Sequence, residues 1–333
     1  MEGLASTIPS VGSRWPGPST VSLHNIKNIQ SWADGRRQWL ENMLVEHGAI
    51  LFEGLPVESP AKFQQTATAL CGRLLDYMYR STPRTSVGEK IYTATEYRAD
   101  SSIPLHNENA YQRDWPMKLV FCCLQPASTG GETPLVLTRD VTRRIDPTVL
   151  RTFCERGVEY VRNYRRSIDI PWETTFQTRS KLDVEAYCRR HGIECEWLPD
   201  DGLRTRQVTH ATARHPVTGE LLWFNQAHLF HVSSLPAAHR DALLNVYGEA
   251  DLPRNAHFGD GSRIDEGILN HIRQAYNGET FIRQWRKGDI LLLDNMLVAH
   301  GRQPFTGQRQ ILVAMGDAFS KRQRPTELES SLR

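Results

Sequence analysis

The sequence predicts a mainly β protein with flanking helices, folded as a sandwich or barrel, and three observations predict it. Eight short apolar or alternating segments are separated by turn residues, at Ile91–Tyr97, Met117–Gln125, Val158–Tyr164, Arg206–Ala213, Leu221–Asn225, Thr280–Trp285, Ile290–Asp294 and Ile311–Met315. A helix–strand–helix opening precedes them, and four helical stretches interrupt them. Many strands at short spacing imply two packed sheets or a closed one.

In chain order, residues 1–22 are rich in Gly, Pro and Ser without a hydrophobic period, and are predicted to be a flexible lead-in. Residues 31–47 open on a capping-type Ser31 and set Trp32, Trp39, Leu40, Met43 and Leu44 near one helix face. The strand AILFEGL follows. Ser59-Pro60 then starts a second helix through Phe63, Ala67, Leu70 and Leu74, because proline suits a first turn. The interrupting helices are predicted near 138–156, 183–191, 236–248 and 265–277, and the charged stretch 165–205 reads as an irregular insertion. Residues 23–320 are expected to form a single domain, with 321–333 a polar tail.

Hydrophobic residues make up 39% of the 333, and 40 Lys and Arg stand against 38 Asp and Glu. This balance gives no basic surface for nucleic acid. Six cysteines without a CxxC pair suggest reduced thiols and a cytoplasmic location. No secretory leader or run of about 18 apolar residues is present, so no membrane association is expected. A homo-oligomer stays open.

Two segments carry candidate chemistry. In Leu105-His106-Asn107-Glu108-Asn109, period-two spacing puts His106 and Glu108 on one face of an extended chain. Such a pair offers a metal two adjacent corners and leaves a third to a distant histidine. Alone the signal is weak: 12 histidines and 38 acids give roughly one His-x-Asp/Glu by chance. His239-Arg240-Asp241 is a second instance, but helical spacing would point its side chains apart. The other segment is an apolar strand, Ile290–Asp294, followed by His300, Arg302 and, entering the next strand, Arg309. A planar guanidinium suits a carboxylate there. Read alone, His300 is a turn histidine and Arg309 a surface cation.

The combination of His106-x-Glu108, Gly130-Gly131-Glu132-Thr133-Pro134 and DNMLVAHGRQPFTGQRQILVAM resembles the taurine dioxygenase and clavaminate synthase superfamily, over about residues 35–317. In style it is closest to syringomycin-type aspartyl hydroxylases. The resemblance implies a distorted jelly roll, the cupin-like double-stranded β-helix, and an Fe(II)- and 2-oxoglutarate-dependent dioxygenase consuming O2. It implies iron ligands at His106, Glu108 and His300, and 2-oxoglutarate held by Thr133 and Arg309, with Arg302 a helper.

Glu108 stands where many relatives carry aspartate. Because a carboxylate is present at all, the halogenating branch is disfavoured. Val313 stands where some relatives carry a second arginine. The implied substrate is a small molecule: an amino acid, free or tethered to a carrier protein, or a related metabolite of natural-product biosynthesis. Hydroxylation is the expected outcome, with desaturation or ring closure as alternatives. Asn107, Asn109 and Asn225 are expected substrate contacts, whereas His228 and His231 read as core or supporting histidines. Arg162, Arg165 and Arg166 could attract an acidic partner, although a solvated face is the plainer reading. A non-catalytic acid-binding jelly roll and a zinc hydrolase are the competing classes. The latter lacks an HExxH helix.

Overall fold

Strand residues alternate between two faces, and central strands that are apolar on both must be covered on both. The computed structural model, which describes residues 15–165 and 169–320, shows how this chain does so. Its largest sheet has seven strands in the order Ser19–Ser22, Ala49–Glu53, Ile290–Asp294, Asp114–Gln125, Gln310–Ser320, Ile91–Thr93 and Ser86–Gly88. The first pair is parallel and the others antiparallel. On the outer face Ile50, Phe52, Val120, Leu292 and Leu312 share a core with Leu40 and Leu44 of Arg37–His47 and Phe63 and Leu70 of Pro60–Cys71. On the inner face Leu119, Phe121, Leu291, Leu293 and Val313 pack against Leu135, Leu297 and Val298.

That inner partner is a three-stranded sheet of Ile103–His106, Val298–Arg302 and Leu135–Leu137. The two layers make the jelly-roll enclosure. A separate four-stranded sheet, Glu194–Leu198, Gly202–Thr209, Val158–Tyr164 and Arg254–Phe258, carries its own core around Phe153, Tyr160, Trp223 and Leu269. No helix among the described residues is long and apolar enough to cross a membrane.

Several expectations are corrected. The lead-in ends early, since Ser19–Ser22 pairs with Ile50–Glu53 and Trp15 donates to the His47 carbonyl at 3.2 Å. The cap of the first helix is Asn28, whose side chain accepts from the Ser31 N–H, and Gly35 breaks the predicted 31–47 helix into Ile29–Asp34 and Arg37–His47. Pro147 likewise divides 138–156 into Thr138–Arg144 and Pro147–Arg156. Thr280–Trp285 is no strand, only an isolated bridge from Phe281 to Leu135. The insertion 165–205 is more regular than expected, holding helices Trp172–Phe176 and Lys181–His191 and strand Glu194–Leu198. The polar tail 321–333 and residues 1–14 lie outside the described residues.

Candidate active site

His106 ends its strand directly opposite His300 of the antiparallel neighbour, with a register shift between His300 and Arg302. Cross-strand partners lie close enough for their side chains to touch, and the two imidazole centroids are 4.7 Å apart. Glu108 follows where the chain leaves the strand. Its Oε2 is 3.9 Å from His300 Nε2, and one donor atom from each of the three residues lies within 4.8 Å of the others.

Asn295 fixes this approach. Its Oδ1 accepts from the Glu108 N–H at 2.8 Å, while its Nδ2 donates to the carbonyls of Glu108 and Pro116 at 2.9 and 2.8 Å. Asn295 therefore ties the turn before Val298–Arg302 to the segment bearing the carboxylate. The next-door Asp294 carboxylate accepts from the N–H groups of Met296 and Leu297 and from His215 Nε2 at 2.9 Å, closing the turn from beneath.

The donor set fits a divalent transition metal of the iron type, two imidazoles and one carboxylate on one side of a site. His106 Nδ1 lies 2.8 Å from the Pro104 carbonyl, which only accepts, so Nδ1 carries the hydrogen and Nε2 keeps its lone pair. Burial holds the His106 imidazole below its ordinary pKa. Burial, with the nearby His106 and Arg84, holds His300 well below it. Both rings are thus neutral near pH 7, as ligation requires. Phe121 packs its ring 5.2 Å from His300 and walls the site on the inner face of the large sheet.

A small chamber opens beside the triad and is also lined by Thr133, Arg309, Arg302, Phe121 and Arg84. Trp285 Nε1–H donates to Thr133 Oγ1 at 3.0 Å, leaving the Thr133 hydroxyl hydrogen free to point at an acceptor. Arg309 Nε–H donates to the Gly131 carbonyl at 3.0 Å. A side chain at position 131 would meet Arg309 at 3.0 Å, and Gly131 has φ +73°, so glycine suits both the turn and the approach. Burial and the neighbouring Arg302 pull the Arg309 pKa down to about 10, still cationic at neutral pH.

Other expected site residues are placed differently. Arg302 donates to the carbonyls of Tyr97, Arg98 and Ser101 at 3.0, 2.5 and 2.7 Å, so its terminal nitrogens bind the 97–101 loop rather than 2-oxoglutarate. Asn107 is fully buried, with Nδ2 donating to Thr138 Oγ1 and the Asn295 carbonyl. Asn225 is fully buried too, donating to Ala211 O and accepting from the Ala227 N–H. Neither lines the chamber, and both serve the framework. Asn109 sits at φ +56° in a turn with its Oδ1 buried and without a partner among the described residues, and it does not line the chamber either.

His228 stacks on Tyr276 at 4.5 Å and donates to the Leu105 carbonyl at 3.2 Å, a supporting place one residue from His106. His231 caps a short turn through the Ser233 N–H. His239 and Asp241 are exposed on helix Ala237–Tyr247. The two described members of the arginine cluster are both engaged with neighbours. Arg162 is buried against Tyr79 and Tyr164 and Arg165 pairs with Asp251, while Arg166 lies outside the described residues.

Sequence reasoning missed Arg84, whose Nη2 donates to Glu108 Oε2 at 2.6 Å. An isolated arginine in an irregular loop gives no pattern to read. Asn295 and Trp285 were also missed, although Asn295 lies inside the motif that carries the resemblance.

The profile of the family "Taurine catabolism dioxygenase TauD, TfdA family" matches residues 13–315. The chain is 41% identical to the dapdiamide synthesis protein DdaC of Enterobacter agglomerans over 278 residues, 84% of each chain. It is 32% identical to the clavaminate synthase-like protein At3g21360 of Arabidopsis thaliana over 291 residues, again 84% of each. Among solved structures, AAD-2 in complex with Mn(II) and N-oxalylglycine shares the fold with a TM-score of 0.52 at 10% identity, over 91% of this chain and 95% of that one. The chain belongs to the TauD/TfdA family of iron(II)- and 2-oxoglutarate-dependent dioxygenases.

Proposed function

We propose that this enzyme hydroxylates an unactivated C–H bond of an amino acid, free or carrier-tethered, or of a related small metabolite in natural-product biosynthesis. Iron is held by His106, Glu108 and His300. The observation that carries the reading is the meeting of these three donors, distant in sequence, in one chamber with Thr133 and Arg309. The dapdiamide-synthesis role in the name of the 41% identical relative supports the pathway class.

When bound, iron and 2-oxoglutarate supply the oxidising power that removes a substrate hydrogen and delivers one oxygen atom, the keto acid leaving as succinate and carbon dioxide. The chain supplies placement. His106, Glu108 and His300 would hold the metal with two imidazoles and one carboxylate, a donor set that leaves it coordination capacity for the keto acid and O2. Arg309, its Nε held by the Gly131 carbonyl, and the Thr133 hydroxyl, oriented by Trp285, would hold the far carboxylate of 2-oxoglutarate. Phe121 and Ile311 keep the chamber wall apolar, which strengthens the charged contacts inside.

The test is succinate formation dependent on both Fe(II) and 2-oxoglutarate, with mass spectrometry of candidate substrates for a gain of one oxygen. His300→Ala should abolish succinate formation. Arg309→Ala should raise the KM for 2-oxoglutarate by about tenfold to a hundredfold, the worth of roughly 1.5–3 kcal/mol in a charge-assisted pair. A fully active His300→Ala enzyme would refute the metal assignment.

A further inference from the structure

Besides Arg302, whose terminal nitrogens bind the 97–101 loop, the chamber holds a second cation that neither metal ligation nor the 2-oxoglutarate contacts use. Arg84 is buried, its side chain only 3% exposed, and it lines the same space as His106, His300, Thr133 and Arg309. Its planar group lies over the Tyr77 ring, 4.6 Å from the centroid, which holds the orientation of the fork. One nitrogen, Nη2, donates to Glu108 Oε2 at 2.6 Å. The other two, Nε and Nη1, are buried with no hydrogen-bond partner among the described residues.

Buried N–H groups of a charged side chain are costly when unpaired, and arginine's fork matches a carboxylate in two parallel bonds. Glu108 accounts for a single bond, so the fork has capacity for a second acceptor. Charge points the same way. Three arginines, Arg84, Arg302 and Arg309, are among the residues lining the chamber, and Glu108, bonded to Arg84, is the carboxylate of the triad beside them. A divalent metal adds two positive charges and 2-oxoglutarate removes two, so the loaded chamber stays net positive. Such a chamber discriminates in favour of an anion.

We propose that Arg84 is the anchor for an anionic group of the substrate, most simply a carboxylate, and so a specificity-determining residue of this enzyme. The anchor rests on the iron and 2-oxoglutarate reading above for the occupancy of the rest of the chamber. Because Nη2 stays on Glu108, the same guanidinium ties the position of the bound anion to that of a metal ligand. The substrate class is therefore a small carboxylate, and replacing that carboxylate by a neutral amide removes the contact.

The test uses full-length protein loaded with Mn(II) and N-oxalylglycine, which permit binding without turnover. Calorimetric titration compares the twenty amino acids and the linear two- to six-carbon carboxylic acids with their primary amides. We expect at least one carboxylate to bind about tenfold or more tightly than its amide, the worth of one charged pair. Arg84→Gln should bring the two within about twofold, and Arg84→Lys, which keeps the charge but not the fork, should fall between. Electron paramagnetic resonance of Mn(II) checks that the metal remains in place, and Arg84→Lys carries the test if Arg84→Gln does not fold.

Three results overturn the anchor: no carboxylate preferred over its amide, a preference that survives Arg84→Gln, or a loss of N-oxalylglycine affinity with the preference intact, which would assign Arg84 to the co-substrate. Failure of wild-type protein to bind Mn(II) and N-oxalylglycine at all would instead overturn the iron and 2-oxoglutarate reading.

Discussion

Glu108 is one methylene longer than the aspartate common at its position, and the structure shows what that length reaches. Its Oε2 lies 2.6 Å from Arg84 and 3.9 Å from His300 Nε2. A shorter side chain cannot keep both neighbours at these distances. Glu108→Asp should therefore weaken Mn(II) binding by about tenfold to a hundredfold, the usual cost of disturbing a ligand's support, and calorimetry reads it directly. Unchanged affinity would show that the chain around residue 108 shifts to compensate. At this scale the sequence was informative where residue types are few and spaced by chemistry. His106, Glu108, His300, Thr133 and Arg309 all border one site. The expected amides were harder to place, because an asparagine next to a motif is as useful for bracing backbone as for binding, and Asn107 and Asn225 brace carbonyls. Arg84 was illegible, since only tertiary contact brings a loop arginine to a ligand 24 residues away.

Among the elements, the long apolar strands were readable and the ligand-bearing ones were not. Ile290–Asp294 and Val158–Tyr164 coincide with their predicted spans because continuous or alternating apolar residues leave little choice. Ile103–His106 contains a proline, and Val298–Arg302 reads VAHGR, with two polar residues and a glycine. Neither has a strand pattern of its own; Ile103–His106 is held by pairing with Val298–Arg302, which pairs on its other side with Leu135–Leu137. Their junction depends on Asn295, which makes three hydrogen bonds across to Glu108 and Pro116. Asn295→Ala should strip partners from three buried backbone groups, at about 1 kcal/mol or more each. The expected signature is a stability loss of about 3 kcal/mol in denaturant melts, together with weaker metal binding. A variant that loses stability but retains full Mn(II) affinity would separate the turn from the site.

For the whole molecule, buried imidazoles set an acid limit. Burial drops the pKa of His228 to about 3, and burial with nearby Arg273 and His257 drops His231 to about 4, against about 6.5 when unfolded. The unfolded chain then binds more protons than the native one below about pH 6.5, so stability rises with pH across that window and falls as pH drops toward 3–4. For fully buried His228 the slope approaches about 1.4 kcal/mol per pH unit. Thermal melts of the metal-free protein should show Tm falling between pH 6.5 and 4.5, and His228→Gln should flatten the curve. A pH-independent Tm over that range would contradict the burial. The two-sheet plan was legible from strand number and spacing. The separate four-stranded sheet was legible only in part: Val158–Tyr164 and the end of Gly202–Thr209 fall on predicted segments, whereas Glu194–Leu198 and Arg254–Phe258, reading ECEWL and RNAHF, carry no apolar run to mark them.

The parallel strand Ser19–Ser22 has a consequence for anyone shortening the chain. It occupies the backbone donors and acceptors along one side of Ala49–Glu53, whose AILFE sequence is largely buried. Starting the polypeptide at residue 23 would uncover a flat apolar margin able to recruit other strands. Such a truncation should stay folded around its metal ligands yet precipitate with rising concentration, visible as growing light scattering, and a lysine at position 51 would worsen folding rather than cure it, because Leu51 is only 5% exposed.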